Sequence, residues 1–311
     1  MNYNKTRISL LVGSIFLLSS APGIAADKNW TGLKLGIGAG SSTNKATQTS
    51  SGAAVTDYSG FDDDQSGDKT VTSSANGTAN LNSTKTIGIL DATYDYQIND
   101  KFVLGLTGNF DFGKNKKTGS IPGVTQVDQS GDLSGYGTPV SDSVTSSTQI
   151  TSSFQTKNAF GVGLRAGFLA NQNTLLYLTG GYAGTKAKSS YLYSTTESGV
   201  RTDAFIIDES SSLSTLTSSS TFTNEVSQNK WMNGYFIGAG LESKLSERVS
   251  LKLEYRFTDY GKMKTNASDD AGTYDATMGV VSNNSSIYSS SFQNEIELKQ
   301  QAIRAVLNYN F

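Results

Sequence analysis

Histidine and cysteine are absent from all 311 residues, proline occurs only three times, and long apolar runs are missing beyond the first few dozen positions. Each absence excludes something. Without histidine there is no Ser-His-Asp arrangement, and without cysteine as well the usual zinc sites are gone. An exported chain without cysteine has neither disulfides nor a thiol for a lipoprotein anchor. No transmembrane helix is visible in the body of the chain. The formal charge is −2, and no basic cluster stands out in the sequence, which argues against a nucleic-acid partner. No cofactor and no enzymatic activity are expected.

What is present begins with a leader. Lys5 and Arg7 precede an apolar core, Ile8 to Leu18, followed by small residues near Ala25 and Ala26. That order of charge, apolar core and small residues is the pattern of a cleaved secretory signal, and the core is short for a bilayer span. The expected division is a signal peptide at 1–26, cut after Ala25 or Ala26, and a mature chain at 27–311. A retained N-terminal anchor is the alternative.

The mature chain alternates between two compositions. Eight segments pair apolar with small or charged residues: 30–40, 86–96, 102–112, 158–170, 174–186, 230–245, 249–260 and 295–311. Period-two alternation predicts strands. Turn-forming residues at Asn99 and Asp100, Asn171 to Asn173 and Ser246 to Arg248 predict tight hairpins. The other links, at about 41–85, 113–155, 187–229 and 261–294, are long, polar and without helical periodicity. Short turns at one end and long loops at the other predict an all-β fold, an eight-stranded antiparallel transmembrane β-barrel with short periplasmic turns and four long extracellular loops. An even strand number puts both mature termini in the periplasm.

The segment SLKLEYRFTDYG, residues 250–261, shows why lipid is the expected solvent. Leu251, Leu253, Tyr255 and Phe257 share one parity, and Lys252, Glu254 and Arg256 the other. Read across the strands, the lipid-side set includes Leu33, Leu35, Ile37, Leu90, Leu104, Leu106, Val162, Leu164, Ile237, Ile303 and Leu307. The opposite parity holds glycines, which leave room in a crowded bore, and ten ionisable residues. These are Lys34, Arg165, Lys252, Arg256 and Arg304 against Asp91, Asp95, Asp111, Glu242 and Glu254. Five cations facing five anions suit a plugged, ion-paired lumen, because an isolated buried charge is costly. The bland alternative is a solvated sheet face. The fifth segment, LLYLTGGYAGTK, is ambiguous in parity. Trp30, Tyr94, Tyr96, Phe102, Phe168, Tyr309 and Phe311 are expected in an aromatic girdle at the periplasmic level.

Other chemistry is sparse. Asp91 and Asp95 share a strand face, as a carboxylate hydrolase would require, but ion pairing explains them equally. Asp62, Asp64 and Ser66 match the opening of an EF-hand calcium loop, but Ser73 stands where its bidentate Glu belongs. The four long links hold more Asp and Glu than Lys and Arg, which predicts an anionic outer surface.

NWTGLKLGIGAG, FVLGLTGNFDFG, FGVGLRAGFLANQNTLLYLTGGYA, GAGLESKLSERVSLKLEYRFTDYG and the closing IRAVLNYNF resemble the opacity-like, immunogenic outer-membrane surface proteins. The resemblance covers the strands and almost none of the links. It implies an OmpA-type eight-stranded barrel in the outer membrane of a Gram-negative cell, but no single activity. It also implies that Tyr309 and Phe311 serve as an assembly signal for the barrel-assembly machinery. The expected function is a scaffold presenting loops for surface interaction or adhesion, with a narrow low-conductance porin and a soluble β-sandwich lectin as rivals. The expected partners are outer-membrane lipid, lipopolysaccharide and a host or surface ligand met through the loops.

Overall fold

The computed structural model describes residues 29–62, 65–130, 141–207, 210–275 and 285–311. The expected signal peptide, 1–26, lies outside them. Eleven strands are described: β1 (Gly32–Asp62), β2 (Gln65–Ser74), β3 (Gly77–Asn80), β4 (Ser83–Gln97), β5 (Phe102–Phe112), β6 (Asn115–Ser130), β7 (Ser141–Asn171), β8 (Thr174–Ile207), β9 (Ser210–Lys244), β10 (Val249–Asp275) and β11 (Ser285–Asn310). The pairings among them are antiparallel.

Eight strands close a ring in the order β11, β10, β9, β8, β7, β5, β4, β1, with β1 pairing back onto β11. The register fixes its geometry. Stepping across paired residues from Tyr309 leads through Leu35, Ala92, Gly108, Val162, Tyr182, Tyr235 and Asp259 to Lys299, ten residues from the start on the same strand. A stagger of that kind makes the strands tilt, and an eight-stranded barrel has a bore that side chains can fill.

At the narrow end the connections are tight. Asn99 Oδ1 accepts from the amides of Lys101 (2.9 Å) and Phe102 (3.0 Å), and Asn171 Oδ1 from that of Asn173 (2.9 Å). Asx turns of this type satisfy the chain-reversing backbone locally.

The long polar links differ from expectation. Most of their length is strand, continuing the barrel walls upward. The sequence hides this because Ser, Thr and Gly are turn formers as well as occupants of a pleated surface, and Thr has high strand preference. The inside-outside alternation of β1 runs on without a break: Ser42, Asn44, Ala46, Gln48 and Ser50 are buried, while Ser41, Lys45, Thr47 and Thr49 are exposed. Only the polarity of the outer face changes, from apolar at Leu33 to Ile37 to polar from Ser41 onward.

β11 shows the change most clearly. In its lower part Ile303, Leu307 and Tyr309 face out and Arg304 faces in; in its upper part Ile296 and Leu298 face in, while Glu295, Glu297 and Lys299 lie on the outward parity. One uninterrupted strand inverts its polarity. Two other strands reset their parity with bulges, at 259–262 in β10 and 156–159 in β7. Gly261 occupies the first with φ +72°, a left-handed conformation that favours glycine, and its amide donates to Asp259 Oδ1 at 2.8 Å. Tyr260 within the bulge and Met263 after it are both buried.

The upper part, here termed the crown, opens from a ring into two facing sheets. The β9–β10 ladder stops at Asp259↔Tyr235, although both strands continue with their other neighbours. On the far side β2 and β6 share a single pair, Ser74↔Val124. One sheet therefore holds β10, β11, β1 and β2, and the other β6, β7, β8 and β9. Between them lie Phe292, Ile296 and Leu298 from the first sheet and Ile150, Phe154, Tyr191 and Tyr193 from the second, all buried. The Tyr193 and Phe292 rings stack across this core with centroids 4.4 Å apart. Burying such a side chain is worth roughly 1.5–3 kcal/mol, which offsets the ordering of otherwise polar strands.

Candidate functional site: the filled bore and its outer belt

The ten ionisable residues expected in the lumen come from seven strands, and all are buried. Each makes an ion pair. Near the narrow end Lys34 Nζ stands 2.8 Å from Asp95 and 3.0 Å from Glu242, and Arg165 bridges the same two carboxylates at 3.2 and 2.8 Å. Ser250 Oγ also donates to Glu242, at 2.7 Å. In the middle Lys252 pairs with Asp91, which accepts from Thr93 Oγ1 at 3.2 Å. Toward the crown Arg304 joins Asp111 (2.7 Å) to Glu254 (3.2 Å), and Arg256 Nε reaches Glu254 at 2.7 Å. Asn109 accepts from Arg256 (2.6 Å) and donates to Asp111 (2.8 Å).

The charges therefore cancel within three small groups stacked along the bore. Such burial is tolerable only with complete pairing, since the desolvation of a lone ion exceeds what one contact returns. Chemically the stack balances these ten charges and fills the passage with their side chains. Asp91 and Asp95, the two carboxylates that share a strand face, hold separate cations.

Aromatic side chains complete the filling. Tyr177 donates its hydroxyl to Glu254 at 3.0 Å and lies under the Arg165 guanidinium, 4.4 Å from ring centroid to Cζ; Phe236 lies 4.1 Å under that of Arg256. Gly240 and Gly163 face these rings, and a Cβ at either would collide with Tyr177 or Phe236. Tyr177 settles the parity of the fifth segment: Leu175, Tyr177 and Thr179 point inward, while Leu176, Leu178 and Tyr182 point out.

Trp30 corrects an expectation. It is 1% exposed and forms the floor of the bore with Val103, Leu169 and Leu175, away from any outer girdle. Its indole N–H donates to the Gln172 carbonyl at 3.2 Å, and the ammonium groups of Lys34 and Lys244 lie 4.4 and 5.0 Å from its ring. The sequence held the signal: Trp30 shares the even parity of Lys34, whereas Leu33 and Leu35 are odd. Tyr177 and Phe236 went unread because aromatic residues fit either face of such a strand.

Outside, an apolar belt encircles the barrel. Leu33, Leu35, Ile37, Leu90, Leu104, Leu106, Val162, Leu164, Ile237, Tyr255, Ile303 and Leu307 are all exposed, Ile37 by 68%. Aromatic pairs mark its two edges. Phe102 with Phe168 (5.8 Å) and Tyr309 with Phe311 (4.9 Å) lie at the narrow end; Phe160 with Tyr182 (6.1 Å) and Trp231 (5.9 Å) lie at the crown end.

Of the calcium-loop candidates, Asp62 and Ser66 sit on paired strands, opposite Gln65 and Phe61, and Asp64 lies outside the described residues. Paired strand backbone is not the helix-flanked loop of an EF-hand. Among the described residues no group of three His, Cys, Asp or Glu is placed to hold a metal ion.

No family model and no curated protein matches the chain, so the likeness to opacity-like surface proteins stands on its motifs. Solved structures similar to it include the attachment invasion locus protein Ail of Yersinia pestis, at 11% identity and TM-score 0.27 over 86% of this chain and 99% of that one. The outer membrane protease OmpT from Escherichia coli follows at 15% and 0.28 over 94% and 99%. The outer membrane protein OprG from Pseudomonas aeruginosa is similar at 14% and 0.32 over 90% and 96%. These scores are too low to transfer a role; the closed ladder of paired strands is what makes the chain a barrel.

Proposed function

We propose that the chain is an integral outer-membrane protein of a Gram-negative envelope, a filled barrel that holds a β-structured crown outside the cell for adhesion or other surface contact. The observation that carries this reading is the apolar belt. A continuous greasy surface around a closed barrel, bounded by aromatic edges and crossed by a charged interior, is stable in hydrocarbon and a liability in water. The inversion within β11 supports the same placement, because the outer face turns polar where the strand would leave the bilayer. Tyr309 and Phe311, packed on each other at the narrow end, fit recognition by the barrel-assembly machinery. In this reading the termini are periplasmic, the leader directs export, and lipid and lipopolysaccharide surround the belt. The surface ligand is met through the crown.

The paired lumen favours a scaffold over a narrow porin. No catalytic role is included, in keeping with a chain that lacks histidine and cysteine. The test joins two measurements on cells and on pure protein. Protease applied to intact cells should cut only within the crown, leaving a barrel fragment whose gel mobility shifts on boiling. Pure protein in planar bilayers should show no stable large conductance. Cleavage inside 86–112, or steady open channels, would overturn the assignment.

A further inference from the structure

The crown end of the belt carries a charge pattern that the sequence does not display as a cluster. No Asp or Glu occurs from Ser143 to Thr196 or from Phe112 to Val127. Within those stretches Lys114, Lys116, Lys157 and Lys186 are exposed and Lys188 half-exposed. The strand register gathers them. Lys116 pairs with Gln155, which pairs with Lys188, so these two lysines flank one residue on adjacent strands. Neighbouring strands are about 4.8 Å apart, which places the two ammonium stems within roughly 10 Å of each other. Lys114 lies two residues below Lys116 on the same face. The β7 bulge sets Lys157 and Asn158 against Lys186, whose partner on β9 is Trp231. Trp231 thus stands beside Lys186, and Phe160 and Tyr182 lie beneath, together forming the aromatic edge of the belt.

On the opposite side of the barrel three lysines are already engaged. Lys262 and Lys264 stand 2.6 and 3.5 Å from Glu295, and Lys299 stands 2.5 Å from Glu297. Carboxylates are thus interleaved with lysines on that flank, while the flank formed by β6, β7 and β8 holds six lysines, exposed Lys117 included, with no carboxylate in its own stretch of chain.

Resting on the outer-membrane reading above, we infer that this flank is a binding site for the phosphate groups of the outer-leaflet glycolipid. Height and chemistry agree. Phosphates of a membrane lipid sit at the boundary between hydrocarbon and water, which is where interfacial aromatic rings mark the belt's edge. Ammonium groups just above that edge meet the headgroup while Phe160, Tyr182 and Trp231 meet the upper acyl chain. Clustered lysines next to a membrane surface bind anionic headgroups additively. The expected anionic outer surface is thereby refined by a basic flank that lies against the membrane.

The experiment uses the full mature chain, folded into nanodiscs of phosphatidylcholine containing either bis-phosphorylated lipid A or the same lipid with its phosphates removed. Native mass spectrometry counts the lipid A retained per barrel, and gel mobility before and after boiling reports insertion in the same samples. Retention of the phosphorylated form should exceed that of the dephosphorylated form by roughly tenfold, and a Lys116→Gln, Lys157→Gln, Lys186→Gln, Lys188→Gln variant should lose that preference. The matching four Lys→Arg changes should keep it, and Lys262→Gln with Lys264→Gln should leave it intact. Equal retention of both lipids by an inserted barrel, or an undiminished preference in the glutamine variant, would overturn the site while leaving the outer-membrane reading in place. Equally tight capture of a soluble sulfated glycan would also overturn it, as a general polyanion surface. A chain that fails to insert at all would instead sink the reading on which the site rests.

Discussion

Lys252 on β10 and Asp91 on β4 face each other across the bore in direct contact, each less than a twentieth exposed. Neither strand pairs with the other, so the contact is made wholly through side chains spanning the interior.

Removing one partner strands the other in a dry site. Lys252→Met is expected to lower the unfolding free energy by about 3–5 kcal/mol, and the double change Lys252→Met with Asp91→Leu to recover most of that loss. Urea unfolding of the barrel in lipid vesicles measures both. A single variant as stable as the parent would mean that water reaches this pair.

The belt and the crown should respond oppositely to the same substitution. Ile237→Arg, on the exposed apolar face, is expected to cost about 2–4 kcal/mol of insertion stability if the residue lies near the bilayer midplane. Thr47→Arg, on the exposed face of the crown, should change stability by less than about 0.5 kcal/mol. The comparison is read from folded fraction in vesicles. Equal tolerance at both positions would place them in one solvent.

Alkaline pH should loosen the crown before the barrel. Burial pushes the phenols of Tyr191 and Tyr193 up from 10.0 to about 12, with hydrogen bonds from their neighbours pulling partly back. Between those values the unfolded chain gives up protons that the folded chain retains, so stability is intact below pH 10 and falls as pH rises through the window. Phenolate absorbance of the parent minus that of a Tyr191→Phe, Tyr193→Phe variant follows the two groups alone. Titration of that difference near pH 10 would contradict their burial.

Much of the barrel is legible in period two. Leu251 to Phe257 against Lys252 to Arg256 separates the outer face from the inner one without any coordinates, and the same parity runs through β1, β5, β7 and β11. What escapes is the crown. Its outward and inward residues are both small and polar over much of β1 and β8, so no hydrophobic period advertises a strand. The informative exception is Glu295 to Leu298, where the apolar parity is even, set against Ile303 to Tyr309, where it is odd. Read together, those two phases locate the change of solvent. The lysine flank escapes for a different reason: its members are spread over 75 positions, from Lys114 to Lys188, and only strand register brings them side by side.

The termination of the β9–β10 ladder at Asp259 has a mechanical meaning. Below it every wall strand is held on both flanks, so none can leave without breaking two rows of bonds, and the tube is stiff. Above it the two leaves meet along seams, stitched by contacts such as Thr265 to Gln228 at 2.6 Å and Ser73 to Thr148 at 2.6 Å. The apolar core between the leaves, with the Tyr193 and Phe292 rings stacked across it, holds them together over the same span. The root is thus closed by backbone ladders and the crown by side chains.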